Sequence, residues 1–261
     1  MLGWSINLFR IFGIQLAVHA TFVLLLVYYG WRGWQQGGVI GALWSVAVIV
    51  AFFVCVVLHE LGHSLTARRY GVQTPRILLL PIGGMAEMDR IPRRPSAELL
   101  ITIAGPAVNF LLVLLLLPLL WSELLGRVEI QDFSVTDMLI QLWWANLIMG
   151  TFNLLPVFPM DGGRIFRALL AIKLPYLRAT WWAVRTGQVL AAGFAALAIF
   201  YFKNPMAGVL FAFIFMAGGT EYQSLLRREQ ELAYWAKLAR QVPEVKSTGN
   251  EPPPIIVHGP N

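Results

Sequence analysis

Charge is what this chain has least of. Only 13% of its 261 residues are Asp, Glu, Lys or Arg, and 57% are hydrophobic. A soluble domain carries about 25% charged residues, so an ordinary water-soluble globule is excluded. Cysteine is nearly absent. Cys55 is the single one, which rules out an internal disulfide. It reads as a small apolar helix residue, although it stands one turn before His59. No cleavable leader is expected, because residues 1–8 lack a basic stretch and no A-x-A-like site closes the first apolar run. The net charge of +6 invites a nucleic-acid partner. That reading fails, because the basic residues sit at the ends of hydrophobic runs. No internal repeat is visible.

What the chain has instead is long apolar segments, over 14–31, 39–67, 99–121, 138–160, 181–202 and 205–221. Each is long enough to cross a bilayer. They predict an all-α polytopic membrane protein with six transmembrane helices. Basic residues then set the orientation. The N-terminal end, loops 2–3 and 4–5 and the C-terminal tail hold most of the Lys and Arg, including Arg10, Arg68, Arg69, Arg76, Arg93, Arg94 and Arg178. The other side has Arg32, Arg127 and Lys203. The positive-inside rule puts both termini in the cytoplasm of a cell-membrane protein.

Two stretches do not read as spans. Residues 5–18 alternate in part and suggest a short strand or interfacial piece. In 74–89 two apolar runs flank Gly83-Gly84, which suggests a membrane-associated β-hairpin; an amphipathic loop is the other reading. Domains divide at about residue 228. A membrane core over 1–228 is followed by an amphipathic extension and a flexible Pro-rich tail over 229–261.

The uncharged run 39–58 ends in His59-Glu60-Leu61-Gly62-His63. On a helix the two His lie four apart and project from one face. That is how two imidazoles hold a zinc ion while a Glu serves as base. A chance match is the competing reading, but ionisable groups at membrane depth mark functional sites. A catalytic zinc usually has three protein ligands. The best remaining candidate is Asp161, a carboxylate that ends an apolar run broken by Pro156 and Pro159. Alternatively, Asp161 caps a helix starting at Gly162.

His59-Glu60-x-x-His63 in one span and Asn153-x-x-Pro156-x-x-x-x-Asp161-Gly162 in a later one resemble the paired signatures of the site-2 protease family (peptidase family M50), which are intramembrane zinc metalloproteases. Gly105-Pro106-x-x-Asn109 is similar to a further element of that family. The stretch 13–22 with His19, and the Gly83-Gly84 hairpin, resemble its six-span archaeal and bacterial branch. The likeness covers about residues 1–228. It implies one Zn²⁺ per chain on His59, His63 and Asp161, with Glu60 as catalytic base and Asn153 polarising the scissile carbonyl. It also implies regulated cleavage of a single-pass membrane protein, with the lipid bilayer as the other partner. Hydrolysis needs an extended substrate, so an edge of the Ile77–Met88 hairpin is expected to pair with the unwound substrate strand, and no nucleic-acid partner is expected. Some relatives carry CBS or PDZ modules, and no segment here has room for them. A catalytically silent relative and a zinc transporter are the alternatives.

Overall fold

The computed structural model describes residues 4–89, 92–121, 126 and 133–241. Arg127 and the Pro-rich tail lie outside the described residues. The chain opens with two antiparallel strands, β1 (Ser5–Ile11) and β2 (Ile14–His19). Their two-residue turn is Phe12-Gly13, with φ of 51° and 84°, the paired left-handed geometry that a tight hairpin requires. This corrects two expectations. Residues 5–18 hold two strands rather than one, and the first helix starts at Thr21 rather than near residue 14. The physical reason is pairing. Ile14-Gln15-Leu16-Ala17-Val18 is apolar enough for a membrane helix, but its backbone is satisfied on both sides, by β1 and by β3.

Helix α1 (Thr21–Arg68) is 48 residues long and breaks at Gly37 and Gly38, where Gly38 has φ 59°. A 21–36 leg and a 39–68 leg result. Next to the break, Gly33 and Gly41 meet backbone to backbone. A Cβ on either would collide with the other's carbonyl oxygen. The second leg carries the His motif and ends at Arg68.

Strands β3 (Arg76–Leu80) and β4 (Gly83–Glu87) follow as the expected hairpin. Its turn is Pro81-Ile82, so Gly83-Gly84 opens β4 instead of forming the turn. The four strands lie in the order β1-β2-β3-β4, with β2 and β3 parallel and Gln15 opposite Arg76. Ile14, Leu16, Ile77 and Leu79 pack onto Phe53, Val56, Val57 and Leu61 of α1, the main apolar core. The sheet is thereby clamped to the helix leg that bears the motif. β3 is paired on both sides and β4 is an open edge. The pair Leu80–Gly83 closes the turn and is hydrogen-bonded in a two-residue hairpin. Alternation then points the N–H and C=O of Met85 and Glu87 at β3, and those of Gly84 and Ala86 at the open edge.

Helices α2 (Pro95–Leu116), α3 (Val135–Asn153), α4 (Asp161–Ala171), α5 (Tyr176–Ala196) and α6 (Pro205–Gln241) complete the described chain. A 3-10 turn extends α2 to Leu120, and a π turn extends α5 to Tyr201. Pro95 starts α2 where its missing N–H costs nothing, and the Ser134 side chain caps α3 by accepting from the Asp137 N–H at 3.1 Å. The segment expected to run unbroken over 138–160 stops as a helix at Asn153. Pro156 and Pro159 supply no N–H, and residues 154–160 form turns.

Four helices are long and apolar enough to cross a membrane: Thr21–Arg68, Pro95–Leu120, Tyr176–Tyr201 and Pro205–Leu238. Their outward faces are apolar. Leu24, Leu114, Val189 and Met216 are each more than 60% exposed, which suits a hydrocarbon surrounding and not water. The chain forms two compact units, Met1–Tyr222 and Gln223–Asn261. The described part of the second is a largely exposed helical stretch over 223–241.

Candidate metal centre

His59 and His63 are buried on one face of α1, where that helix packs against α2. Glycines make the approach possible. A Cβ on Gly62 would lie 2.7 Å from the Ala104 carbonyl oxygen, and one on Gly105 would collide with the His63 ring. The imidazoles thus occupy the volume that a side chain at position 105 would fill.

Asp161 reaches the same place from α4. It is the first residue of that helix, and Met160 is the cap, without a side-chain cap bond. Asp161 therefore lies in a first turn, where an acid is favoured, while its carboxylate turns toward the imidazoles. Gly162 and Gly163 press against the backbone of Leu154, Leu155 and Phe158, which folds the 154–160 turns tightly back on α4.

The ligand-type atoms converge. Asp161 Oδ2 lies 3.1 Å from His63 Nε2 and 3.3 Å from His59 Nε2, and the two Nε2 atoms are 3.1 Å apart. The hydrogen-bond network fixes both tautomers. His63 Nδ1 faces the Ile101 carbonyl at 2.8 Å. A carbonyl only accepts, so Nδ1 carries the proton. For His59 the argument runs through a chain of amides. The Leu142 carbonyl accepts from Asn146 Nδ2 at 2.8 Å, and Asn146 Oδ1 accepts from Asn109 Nδ2 at 2.9 Å. Asn109 Oδ1 is left to accept from His59 Nδ1 at 2.5 Å. Both Nε2 atoms therefore present lone pairs.

Two lone pairs and a carboxylate oxygen face one another with no donor between them. Only a cation makes that arrangement favourable. The spacing also fits. Ligand atoms about 2.0–2.1 Å from a tetrahedral zinc stand about 3.3–3.4 Å apart. Hydrogen bonds from the outer ring nitrogens to Asn109 Oδ1 and the Ile101 carbonyl are the usual support of metal-binding imidazoles.

The other expected residues are placed as follows. Glu60 is half-buried and faces β4. A Cβ on Gly84 would lie 2.7 Å from Glu60 Cγ and 3.2 Å from its Oε1, so the bare glycine lets the edge strand lie against this carboxylate. Asn153 ends α3, half-buried, and the described structure gives its side chain no hydrogen-bond partner. His19 is separate from the triad. It bonds the hydroxyl of Thr21 at 2.8 Å at the start of α1. Cys55 is buried and outside the triad.

Sequence reasoning named Asn109 without giving it a task, and it missed Asn146 altogether. It also missed a second buried cluster. Arg167 of α4 donates Nε to Glu98 Oε1 at 2.8 Å and Nη1 to Glu221 Oε1 at 2.9 Å. Tyr176 OH donates to Glu98 at 3.4 Å. The guanidinium stands 5.1 Å from the ring centres of both Phe158 and Tyr176. This cluster joins α2, α4, α5 and α6 and touches the loop that delivers Asp161. The available signal was two acids at the edges of apolar segments, Glu98 just before 99–121 and Glu221 at the end of 205–221.

The model of Peptidase family M50 matches residues 47–127 and 122–194. Zinc metalloprotease MJ0392 of Methanocaldococcus jannaschii is 44% identical over 73% of this chain and 52% of its own length. Putative zinc metalloprotease Rip3 of Mycobacterium tuberculosis is 31% identical over 80% of this chain and 56% of its own length. The chain thus spans about half the length of these relatives. Among solved structures, the site-2 protease from Methanocaldococcus jannaschii aligns with a TM-score of 0.59 at 40% identity, covering 84% of this chain and 95% of that one.

Proposed function

Since the chain belongs to peptidase family M50, the site-2 proteases, we propose that this multi-pass membrane protein is an intramembrane zinc metalloprotease that cuts membrane-tethered proteins. The observation that carries the reading is the convergence of His59 Nε2, His63 Nε2 and Asp161 Oδ2 with both Nδ1 protons engaged elsewhere.

His59, His63 and Asp161 would hold one zinc, which when bound supplies a Lewis acid for the scissile carbonyl and the attacking water. Glu60 accepts the proton of that water and returns it to the leaving amine. Asn153, whose side chain has no hydrogen-bond partner among the described residues, would hydrogen-bond the carbonyl oxygen as negative charge develops there. The test uses purified protein and a model single-span peptide. Glu60→Gln keeps an equivalent of zinc and loses cleavage. Comparable turnover in the variant would remove Glu60 as base, and zinc without cleavage in the parent chain would point to a silent relative.

A single-pass substrate would dock as an unwound strand within the Ile77–Met88 hairpin region, on the open edge of β4 beside Glu60. Its carbonyls would pair with the N–H groups of Gly84 and Ala86. Ala86→Pro removes an outward donor and should raise KM or stop cleavage with zinc retained. Met85→Pro breaks the hairpin itself and is not a clean test. Unchanged kinetics for Ala86→Pro would reject strand docking.

The six spans are the two legs of α1, then α2, α3, α5 and α6. Of these, α3, which carries Asp137, Gln141 and Asn146, is not among the four helices long and apolar enough to cross by themselves. Residues 1–228 would form the embedded enzyme and 229–261 a cytoplasmic extension. With both termini cytoplasmic in the cell membrane, cleavage frees the cytoplasmic side of a substrate. A cysteine at Gly126, on a background without Cys55, should react with an impermeant reagent in intact cells. Protection there would invert the orientation.

A further inference from the structure

Asn146 takes no part in the reaction, yet its side chain is wholly buried, 0% exposed in α3. So is that of Asn109 in α2. An amide in an apolar interior is costly unless it is hydrogen-bonded, and here the bonds form a directed chain. It crosses three helices, from the Leu142 carbonyl through Asn146 and Asn109 to His59. Three of its four members are reversible. An amide turned by half a rotation exchanges donor for acceptor, and a neutral imidazole carries its proton on either ring nitrogen. The Leu142 carbonyl is not reversible. It only accepts, so it is the fixed end of the chain, and Asn146 is the side chain that meets it.

The direction matters at the other end. With both amides reversed, the NH2 of Asn109 would face His59 Nδ1, which would then accept, and the ring proton would move to Nε2. Nε2 is the atom that faces His63 and Asp161. A protonated Nε2 has no lone pair for a metal. Packing alone would not call for an amide at position 146. An apolar side chain of the same branching would fill the contact between α2 and α3, where bare Gly150 already lies against Asn109 and Phe110. We propose that Asn146 is a positioning residue of the metal centre: from α3, and through Asn109, it fixes which ring nitrogen His59 offers. The role rests on His59 as a zinc ligand, so its test includes the metal-free protein.

The full chain is purified in detergent with its histidines labelled by nitrogen-15. Nuclear magnetic resonance then shows which ring nitrogen of His59 carries the proton, and His59→Gln assigns the signal. Competition with a chelator gives the zinc affinity. In the metal-free parent the proton should sit on Nδ1. Asn146→Leu should move a measurable share of it to Nε2 and weaken zinc binding by about tenfold or more, the usual size for supports of ligand histidines. If that variant does not fold, Asn146→Ala is measured in its place. Asn146→Asp should restore both readings, since a carboxyl accepts from Asn109 whether or not it is protonated. A proton kept on Nδ1 and parental zinc affinity in Asn146→Leu, with only the thermal midpoint lowered, would reduce Asn146 to a packing residue and overturn the proposal. So would an Asn146→Asp that weakens zinc as much as Asn146→Leu. A parent that keeps the proton on Nδ1, loses that preference in Asn146→Leu and yet binds no zinc would strike the metal reading and leave the hold of Asn146 on His59 standing.

Discussion

The triad of His59, His63 and Asp161 and the cluster of Glu98, Arg167, Tyr176 and Glu221 are both buried groups of ionisable side chains, but their polarity is completed differently. In the second, the guanidinium of Arg167 bridges two carboxylates and the Tyr176 hydroxyl adds a donor. Positive and negative groups are all supplied by the chain. In the first, every inward-facing atom is an acceptor, and the positive charge has to come from outside. Burial alone therefore does not separate a structural polar cluster from a reactive one. The balance of donors and acceptors does.

The largest effect should come from removing an acceptor of the triad. His63→Ala should lose its zinc to a weak chelator and its cleavage with it, while the metal-free protein keeps or gains thermal stability because crowded lone pairs are relieved. A full equivalent of zinc in that variant, or a large loss of apo stability, would erase the contrast. Next in size is Arg167→Met. Leaving Glu98 buried without its partner should cost about 3–5 kcal/mol, read as a fall in thermal midpoint that is similar with and without zinc. A fall seen only in the zinc-loaded form would merge the two clusters into one site. Smallest is Asn109→Ala, which frees the outer nitrogen of His59. Zinc affinity should drop about 10–100-fold with little change in fold. An unaltered affinity would show that the amide chain does not set the His59 tautomer.

The metal triad was legible because its signals are local. Two His four apart define a helix face, and an acid after two prolines defines a break. The supports were not legible. Asn109 and Ile101 reach the imidazoles only because Gly62 and Gly105 let α1 and α2 touch, a tertiary fact. The hairpin at β3 and β4 was visible, but its turn was displaced by two residues, since Pro81-Ile82 carries a weaker turn signature than Gly83-Gly84. The Phe12-Gly13 turn was hidden by a phenylalanine at positive φ. The parallel pairing of β2 with β3 had no signal at all. Arg167 was not singled out, because nothing local announces that Glu98 and Glu221 will meet it.

That parallel pairing has a consequence for how the protein is made. Gln15 and Arg76 sit opposite each other in the sheet, with both legs of α1 between them. At about 5–20 residues per second, β3 leaves the ribosome roughly 3–12 s after β2. During that interval β1 and β2 are an isolated hairpin, which is marginal in water. Its exposed Ile6, Leu8 and Phe9 offer it a place to wait at the membrane surface. The sheet can therefore close only after both legs of α1 have been made, and its closure clasps the start of the chain to the segment that follows the far end of that helix.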